Sequence, residues 1–392
     1  MSRIRTPGRL RAAAAPGRTR LLAAPVLAAV LAGLVAAEPA LAGASSPPRL
    51  PARSTATLVQ DVLSASPTNL HGTIATVANL GLSSLGSALG SVGPRGSQVP
   101  AILTGPTKEE VWMGSPGELR IAIPSGSQET DVVARKGSLW VWSSHEQKAT
   151  HVVAPAGGPP SWLAAAGRHS AAKVEQAVGS VTPQSLATRL LGALGPSTRV
   201  FVNGTVRVAG HPAYELVLAP RSTDSLVADV DIAIDAKTGL PLQVQVLATQ
   251  QSLPSFQIGF TSLHFAAQPA RYFSFTPPAG AKVASHSLSW PSGPPTMPAG
   301  PAPSAASGGA TILGSGWDTV AALPALQLTS PTARTLLSGA RSVSGQGWSG
   351  RLVTTSLVDA VVVTSGPASG RVLVGAVQPK VLEADAAQLS QR

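Results

Sequence analysis

Alternation between apolar and polar residues dominates the chain between residues 53 and 285. Leu119, Ile121 and Ile123 are separated by Arg120 and Ala122, and a similar alternation recurs downstream. A period of two residues is typical of a strand with one face buried and the other in solvent. Turn-like sequences, such as that at residues 135–138, separate successive runs and predict antiparallel pairing. Further strands are predicted at residues 199–208, 213–219, 226–235, 242–249, 256–265 and 272–275.

Two helices interrupt this pattern. In the first, residues 57–63 place Leu58 and Val62 on one face, and Pro67 ends the helix. The second begins at Thr182 as N-cap with Pro183 in the first helical position, and its apolar residues follow at intervals of four. We therefore expect a many-stranded sheet flanked by two helices.

The strands carry one continuous aliphatic face, which is the candidate binding surface. A sheet of this length must curl, so this face either packs on a second layer or encloses an apolar cavity. Periodicity leaves both alternatives open. The candidate cavity residues are Leu119, Ile121, Ile123, Val230, Ile232, Ile234, Leu242, Val244 and Val246.

Several segments that together cover about residues 55–285 share an order and spacing; they lie at 117–123, 129–137, 140–144, 149–153, 214–218, 234–241 and 272–281. In that order they resemble the actinobacterial type of the LolA-like family of outer-membrane lipoprotein carriers, which has a C-terminal extension. The resemblance implies a mainly β fold with flanking helices: a half-open antiparallel β-barrel with a helical lid. It also implies a hollow core that holds the acyl chains of a lipid or lipoprotein. Relatives of this kind carry lipoproteins or lipids, or sense envelope stress.

Charge and composition exclude several classes of function. The formal net charge is +11, but six arginines and one acid lie in residues 1–42, and the remaining charges are dispersed. Nucleic-acid binding needs clustered Lys and Arg, so we expect none. The chain has no cysteine, no paired histidines at helical spacing and no nucleophile motif. We therefore expect no enzyme activity, no cofactor and no metal site, and a monomer.

The N-terminus has the features of an export signal. Basic residues precede an apolar stretch at residues 21–37, and Ala40, Leu41 and Ala42 form a small-x-small cleavage site. Cleavage releases the protein into the cell envelope or the medium. The alternative is an uncleaved N-terminal anchor, since the apolar stretch approaches the length of a membrane span.

The predicted organisation is a signal peptide (1–42), a tether (43–52), the LolA-like unit (53–285), a linker rich in Pro, Gly and Ser (286–310), a small C-terminal α/β module (311–384) and a tail (385–392). Within the module, a helix is predicted at residues 332–343 and a hairpin at residues 352–363 and 372–377. The predicted function is a carrier of acyl chains. The alternative is an envelope-stress sensor that binds a membrane-protein partner of the anti-sigma type.

Overall fold

The computed structural model describes residues 47–80, 107–153, 181–287, 311–323 and 337–391. The predicted signal peptide, the start of the tether and most of the linker lie outside the described residues. The helices described are α1 (Thr55–Ser64), α2 (Pro183–Gly192) and α3 (Pro379–Ser390).

Twelve of the described strands form one open sheet in the order β12-β6-β5-β4-β3-β2-β1-β11-β10-β9-β8-β7. Together with the few helices, this sheet makes the described chain mainly β, as predicted. The strands are β1 (Leu70–Ala78), β2 (Thr107–Met113), β3 (Leu119–Ser125), β4 (Gln128–Arg135), β5 (Ser138–Ser143), β6 (Lys148–Val153), β7 (Thr198–Val208), β8 (His211–Pro220), β9 (Val227–Asp235), β10 (Pro241–Ala248), β11 (Phe256–Phe265) and β12 (Lys282–Ser287).

The larger sheet is antiparallel, as predicted, except at one edge, where β12 pairs with β6 in parallel. Residues 266–281 connect β11, in the middle of the sheet, to β12 at its edge. On the way they pass across the face of the sheet that carries Trp112 and Trp140, which we call the outer face. A crossover of this kind, unlike a tight turn, lets β12 run in the same direction as its neighbour β6. We call residues 266–281 the strap.

The strand predicted at residues 272–275 is also wrong, because Ala270–Phe273 forms a 3₁₀ helix within the strap. Phe273 is only 2% exposed, and Tyr272 stacks on Trp112 with ring centroids 5.4 Å apart. Packing of these aromatic rings on the outer face of the sheet favours the 3₁₀ turn over an extended strand.

The C-terminal module contains a six-stranded sheet in the order β13-β14-β18-β17-β16-β15. Its strands are β13 (Thr311–Leu313), β14 (Val320–Leu323), β15 (Arg341–Gly345), β16 (Trp348–Val353), β17 (Asp359–Ser365) and β18 (Val372–Gly375). In the helix predicted at residues 332–343, Leu337 and Ser338 are helical among the described residues, but residues 341–343 belong to β15, because Val343 pairs with Gly350 and is buried in the module core. Helix α3 continues to Ser390, into the predicted tail, and buries Leu382 and Ala386.

Helix α2 begins as the sequence predicts. The Thr182 side chain accepts a hydrogen bond from the Ser185 backbone N–H (3.2 Å), and the Ser185 hydroxyl accepts one from the Thr182 N–H (3.2 Å). This reciprocal capping box satisfies two backbone donors that would otherwise be unpaired, and Pro183 occupies the first turn without the loss of a hydrogen bond.

The module docks on the larger sheet through backbone hydrogen bonds and a shared core. The Leu226 N–H donates to the Ala376 carbonyl (2.9 Å), and the Ser356 N–H donates to the Leu80 carbonyl (3.0 Å). Leu357 and Val358 belong to the same hydrophobic cluster as the interior of the larger sheet. The two units therefore bury apolar surface against each other.

This docking predicts that the two units stay together when the chain between them is cut. A protease site inserted into residues 288–310 should give two fragments that elute as one species in gel filtration, because the apolar contacts and hydrogen bonds survive the cut. Leu357→Asp, which places a carboxylate in the contact, should weaken the association. Separate elution of the unsubstituted fragments would show that the module is only tethered.

Candidate ligand-binding face

The nine predicted cavity residues lie on one face of the larger sheet, which we call the inner face. On β9 and β10, Ile232 lies opposite Val244 and Val230 lies opposite Val246. Strand β3 is separated from this pair by β2, β1 and β11. Its apolar residues nevertheless join the same hydrophobic cluster, because the sheet curls.

Six of the nine side chains are closely packed rather than open to a void. Ile121, Ile232, Ile234, Leu242 and Val244 are 0% exposed, and Val230 is 1% exposed. A water-sized void beside these atoms would leave them measurable exposure. Leu119, Ile123 and Val246 are partly buried and pack at the border of the cluster. The core beside these six residues is therefore filled in this structure. The hollow core implied by the family resemblance stays a prediction for a state in which the cover has moved.

Short helices and the docked module cover the inner face. Helix α2 packs on β10 and β11, while α1 packs on α2 and β7. Helix α1 buries Leu58 and Val62, and α2 contributes Ala187 and Leu191 to the cluster. A side-chain hydrogen bond from Gln184 Nε2 to the Val62 carbonyl (3.1 Å) links the two helices.

The start of α1 is fixed to the sheet. Arg53 forms an ion pair with Asp61 (2.7 Å) and donates to the Ala236 carbonyl (3.2 Å). The Tyr214 hydroxyl donates to the Pro51 carbonyl (2.6 Å). Gly239, at a φ of +72° in the β9–β10 turn, lets the backbone approach Asp61, since an added Cβ would lie 3.0 Å from the Asp61 Cβ. Helix α1 is therefore held at its start through Arg53 and in its last turns through Asp61 and Val62.

Strand β1 is an inner-face element that the sequence analysis missed. It buries Leu70, Ile74 and Ala78 between β2 and β11. Its alternation is masked by small residues: Gly72 lies under the Phe260 ring, where a Cβ would come within 2.8 Å of a ring carbon. The alternating positions Leu70, Gly72, Ile74 and Thr76 could have predicted this strand. The pattern is weak because Gly72 and Thr76 are not large apolar residues.

The outer face carries polar and aromatic groups. Arg120 makes a bidentate ion pair with Asp131 (3.1 and 2.8 Å) and lies over the Trp112 ring. Asp235 is buried and caps the β9–β10 turn by accepting hydrogen bonds from the Lys237 and Thr238 N–H groups. Within the described ranges, no group of three or more His, Asp and Glu side chains is placed to hold a metal ion.

The surface of the described residues carries open cavities. One of about 390 Å³ lies on the outer face beside the strap, and another of about 300 Å³ lies beside the β9–β10 turn. None of the nine predicted cavity residues lines either of them. No helix among the described residues has the length and apolar character needed to cross a membrane.

No family model matches the chain, and no curated protein matches it in sequence. Among solved structures, it is similar to MucB (TM-score 0.33, 19% identity, 86% of this chain and 96% of that chain) and to the MucA/MucB complex of Pseudomonas aeruginosa (0.34, 16%, 83% and 93%). It is also similar to a LolA superfamily protein from Nitrosomonas europaea (0.22, 9%, 57% and 99%). At these TM-scores, the likeness supports no argument about ligand or partner. The actinobacterial type stays a prediction.

One buried carboxylate lies where the module meets the larger sheet. Asp359 is 2% exposed and accepts a hydrogen bond from the Thr355 N–H (2.9 Å). Ser356, which follows Thr355, donates a backbone hydrogen bond to the Leu80 carbonyl across the contact. Burial raises the pKa of Asp359 from 3.8 to about 6, because the charged form loses hydration, although the Thr355 N–H favours the charged form.

The raised pKa predicts an acid-stabilised module. Folding favours the protonated form of Asp359, so its contribution to the free energy of unfolding is largest below about pH 4 and is lost as the pH rises through about 6. Asp359→Asn keeps the acceptor without the charge. Its gain in stability at neutral pH should approach about 3 kcal/mol, the value of a two-unit shift.

Urea denaturation between about pH 4 and pH 8 measures this difference. Glu146→Gln, which removes one carboxylate from the exposed surface, is the control. Parallel profiles for the wild type and Asp359→Asn would show that burial of Asp359 does not control this dependence.

Proposed function

We propose that this protein is an exported carrier without catalytic activity, and that the inner face of its larger sheet binds the acyl chains of a lipid or lipoprotein. The observation that carries the proposal is the nature of the cover. Two helices of 10 residues each close one part of the inner face, and the six-stranded sheet of the docked module adds Ala360, Val362, Val372 and Val374 to the same hydrophobic cluster. The helices are the part of this cover that is short enough to be displaced. Export is proposed from the sequence of residues 1–42.

Magnitudes favour a cover that an acyl chain can displace. Helices of this length are marginal in isolation, so tertiary contacts hold them. Helix α1 buries two large apolar side chains, Leu58 and Val62, each worth about 1.5–3 kcal/mol. An acyl chain that buries eight to ten methylenes gains roughly 6–8 kcal/mol. The chain can therefore replace the contacts that α1 gives up.

A specific observation favours a second candidate, a regulator that binds a membrane protein. Strand β7 is an edge of the larger sheet, and it presents Phe201 at 40% exposure. An extended segment of a partner can add to such an edge by main-chain hydrogen bonds. This function would use the packed core as it stands and would need no cavity.

The carrier proposal predicts binding that strengthens with acyl-chain length. Each added methylene should lower Kd about fourfold, from about 0.8 kcal/mol of burial, until the chain exceeds the space under the cover. Binding should change little with salt, because the contact is apolar. A series of fatty acids or monoacyl lipopeptides, titrated in calorimetry, measures this slope.

A matched pair of variants on β10 assigns the face. Val246 is a partly buried inner-face residue, and Leu247 is a partly buried residue of the outer face. Val246→Asn should weaken chain binding by about five- to a hundredfold, since it leaves an amide without a partner against the chain. Leu247→Asn should leave binding unchanged. Equal effects of the two substitutions would favour the regulator. So would native mass spectra in which protein purified from its own envelope carries no lipid and binds no added acyl chain.

A further inference from the structure

A cavity of about 390 Å³ beside the strap combines cationic, hydroxyl and aromatic groups on the outer face. Its size is within the range of small-ligand sites. It lies on the side of the sheet opposite to the inner face, so it is a separate surface. Its lining residues are Val133, Arg135, Lys136, Ser138, Trp140, Phe273, Ser274 and Phe275.

The charge at this cavity is positive. Arg135 pairs with Glu118 (Nε to Oε1, 3.0 Å), and its Nη1 donates to the Ser274 hydroxyl (3.3 Å), which holds the guanidinium against the cavity. Lys136 is exposed at the β4–β5 turn, and no ion pair joins it to another described residue. One acid therefore balances two cations, and the surplus charge favours an anion.

Apolar groups surround the same cations. Trp140 stacks on His151 (4.0 Å between centroids) and contacts Phe275 (5.5 Å). Val153 is 38% exposed and lies opposite Ser138, on the same face. Aromatic side chains next to Lys and Arg are typical of protein surfaces that rest at the headgroup level of a bilayer.

We propose that this surface, the aromatic-basic patch of Arg135, Lys136, Trp140, Val153 and Phe275, docks on the anionic surface of a phospholipid bilayer. The cavity receives one headgroup phosphate between Lys136 and Arg135, while Phe275 and Val153 contact the interfacial region. Docking here leaves the inner face unobstructed. The inference goes beyond the proposed function and holds whether the inner face carries acyl chains or not.

Vesicle flotation of the purified protein tests the proposal. The wild type should float with vesicles that contain phosphatidylglycerol and remain behind with vesicles of phosphatidylcholine alone. Loss of one surface charge is worth about fivefold in partitioning, so Lys136→Gln should reduce flotation about fivefold and Lys136→Glu roughly thirtyfold. High salt should reduce wild-type flotation, since exposed charges are screened.

Two controls separate this docking from other effects. Lys237 is an exposed lysine in the β9–β10 turn, so Lys237→Glu makes the same change of net charge elsewhere and should float like the wild type. Val246→Asn, which tests the inner face, should also float normally. Equal flotation of Lys136→Glu and Lys237→Glu would overturn the proposal. Absence of wild-type flotation would also overturn it. Calorimetric binding of soluble glycerophosphate as tight as the binding of vesicles would overturn it too, because it would indicate a site for a free organic phosphate.

Discussion

Coverage of one aliphatic face is the constraint on which the rest of this structure depends. A twelve-stranded open sheet with an alternating pattern exposes a large apolar surface unless another layer buries it. The chain supplies that layer from three separate places in the sequence: α1 before the sheet, α2 between β6 and β7, and the module after the strap. The two helices are short, and the module contributes its own six-stranded sheet, so the covering layer is assembled from helices and a second sheet.

The two faces of the sheet consequently differ in the side chains that they carry. The inner face is aliphatic and depends on long-range packing, with residues of β3, β9 and β10 at 0–1% exposure. The outer face around β2–β6 holds Trp112, Arg120 and Asp131 in a polar and aromatic network that the strap covers. Because the strap crosses the outer face, it also sets the parallel pairing of β12. A single connection thus determines both the edge of the sheet and the aromatic surface beside it.

Local patterns predicted much of this fold. The strand at residues 256–265 and the N-cap at Thr182 are confirmed, because alternation and capping depend on near neighbours. Strand β1 escaped prediction because Gly72 and Thr76 weaken its pattern, and residues 272–275 alternate but turn where rings pack on Trp112. The face of the nine candidate residues was predictable. What covers it was not, since the cover depends on contacts between residues hundreds of positions apart, such as Ser356 with Leu80.

Hydrogen exchange with and without a long-chain acyl ligand tests most directly whether this cover can be displaced. If the cover can be displaced, amides of α1 and α2 exchange faster than those of β9 and β10 in the free protein. The ligand then changes the exchange of α1 and α2, while β9 and β10 stay protected. Equal, slow exchange of helices and strands that the ligand leaves unaltered would contradict displacement of the cover. The inner face would then be a permanently filled core.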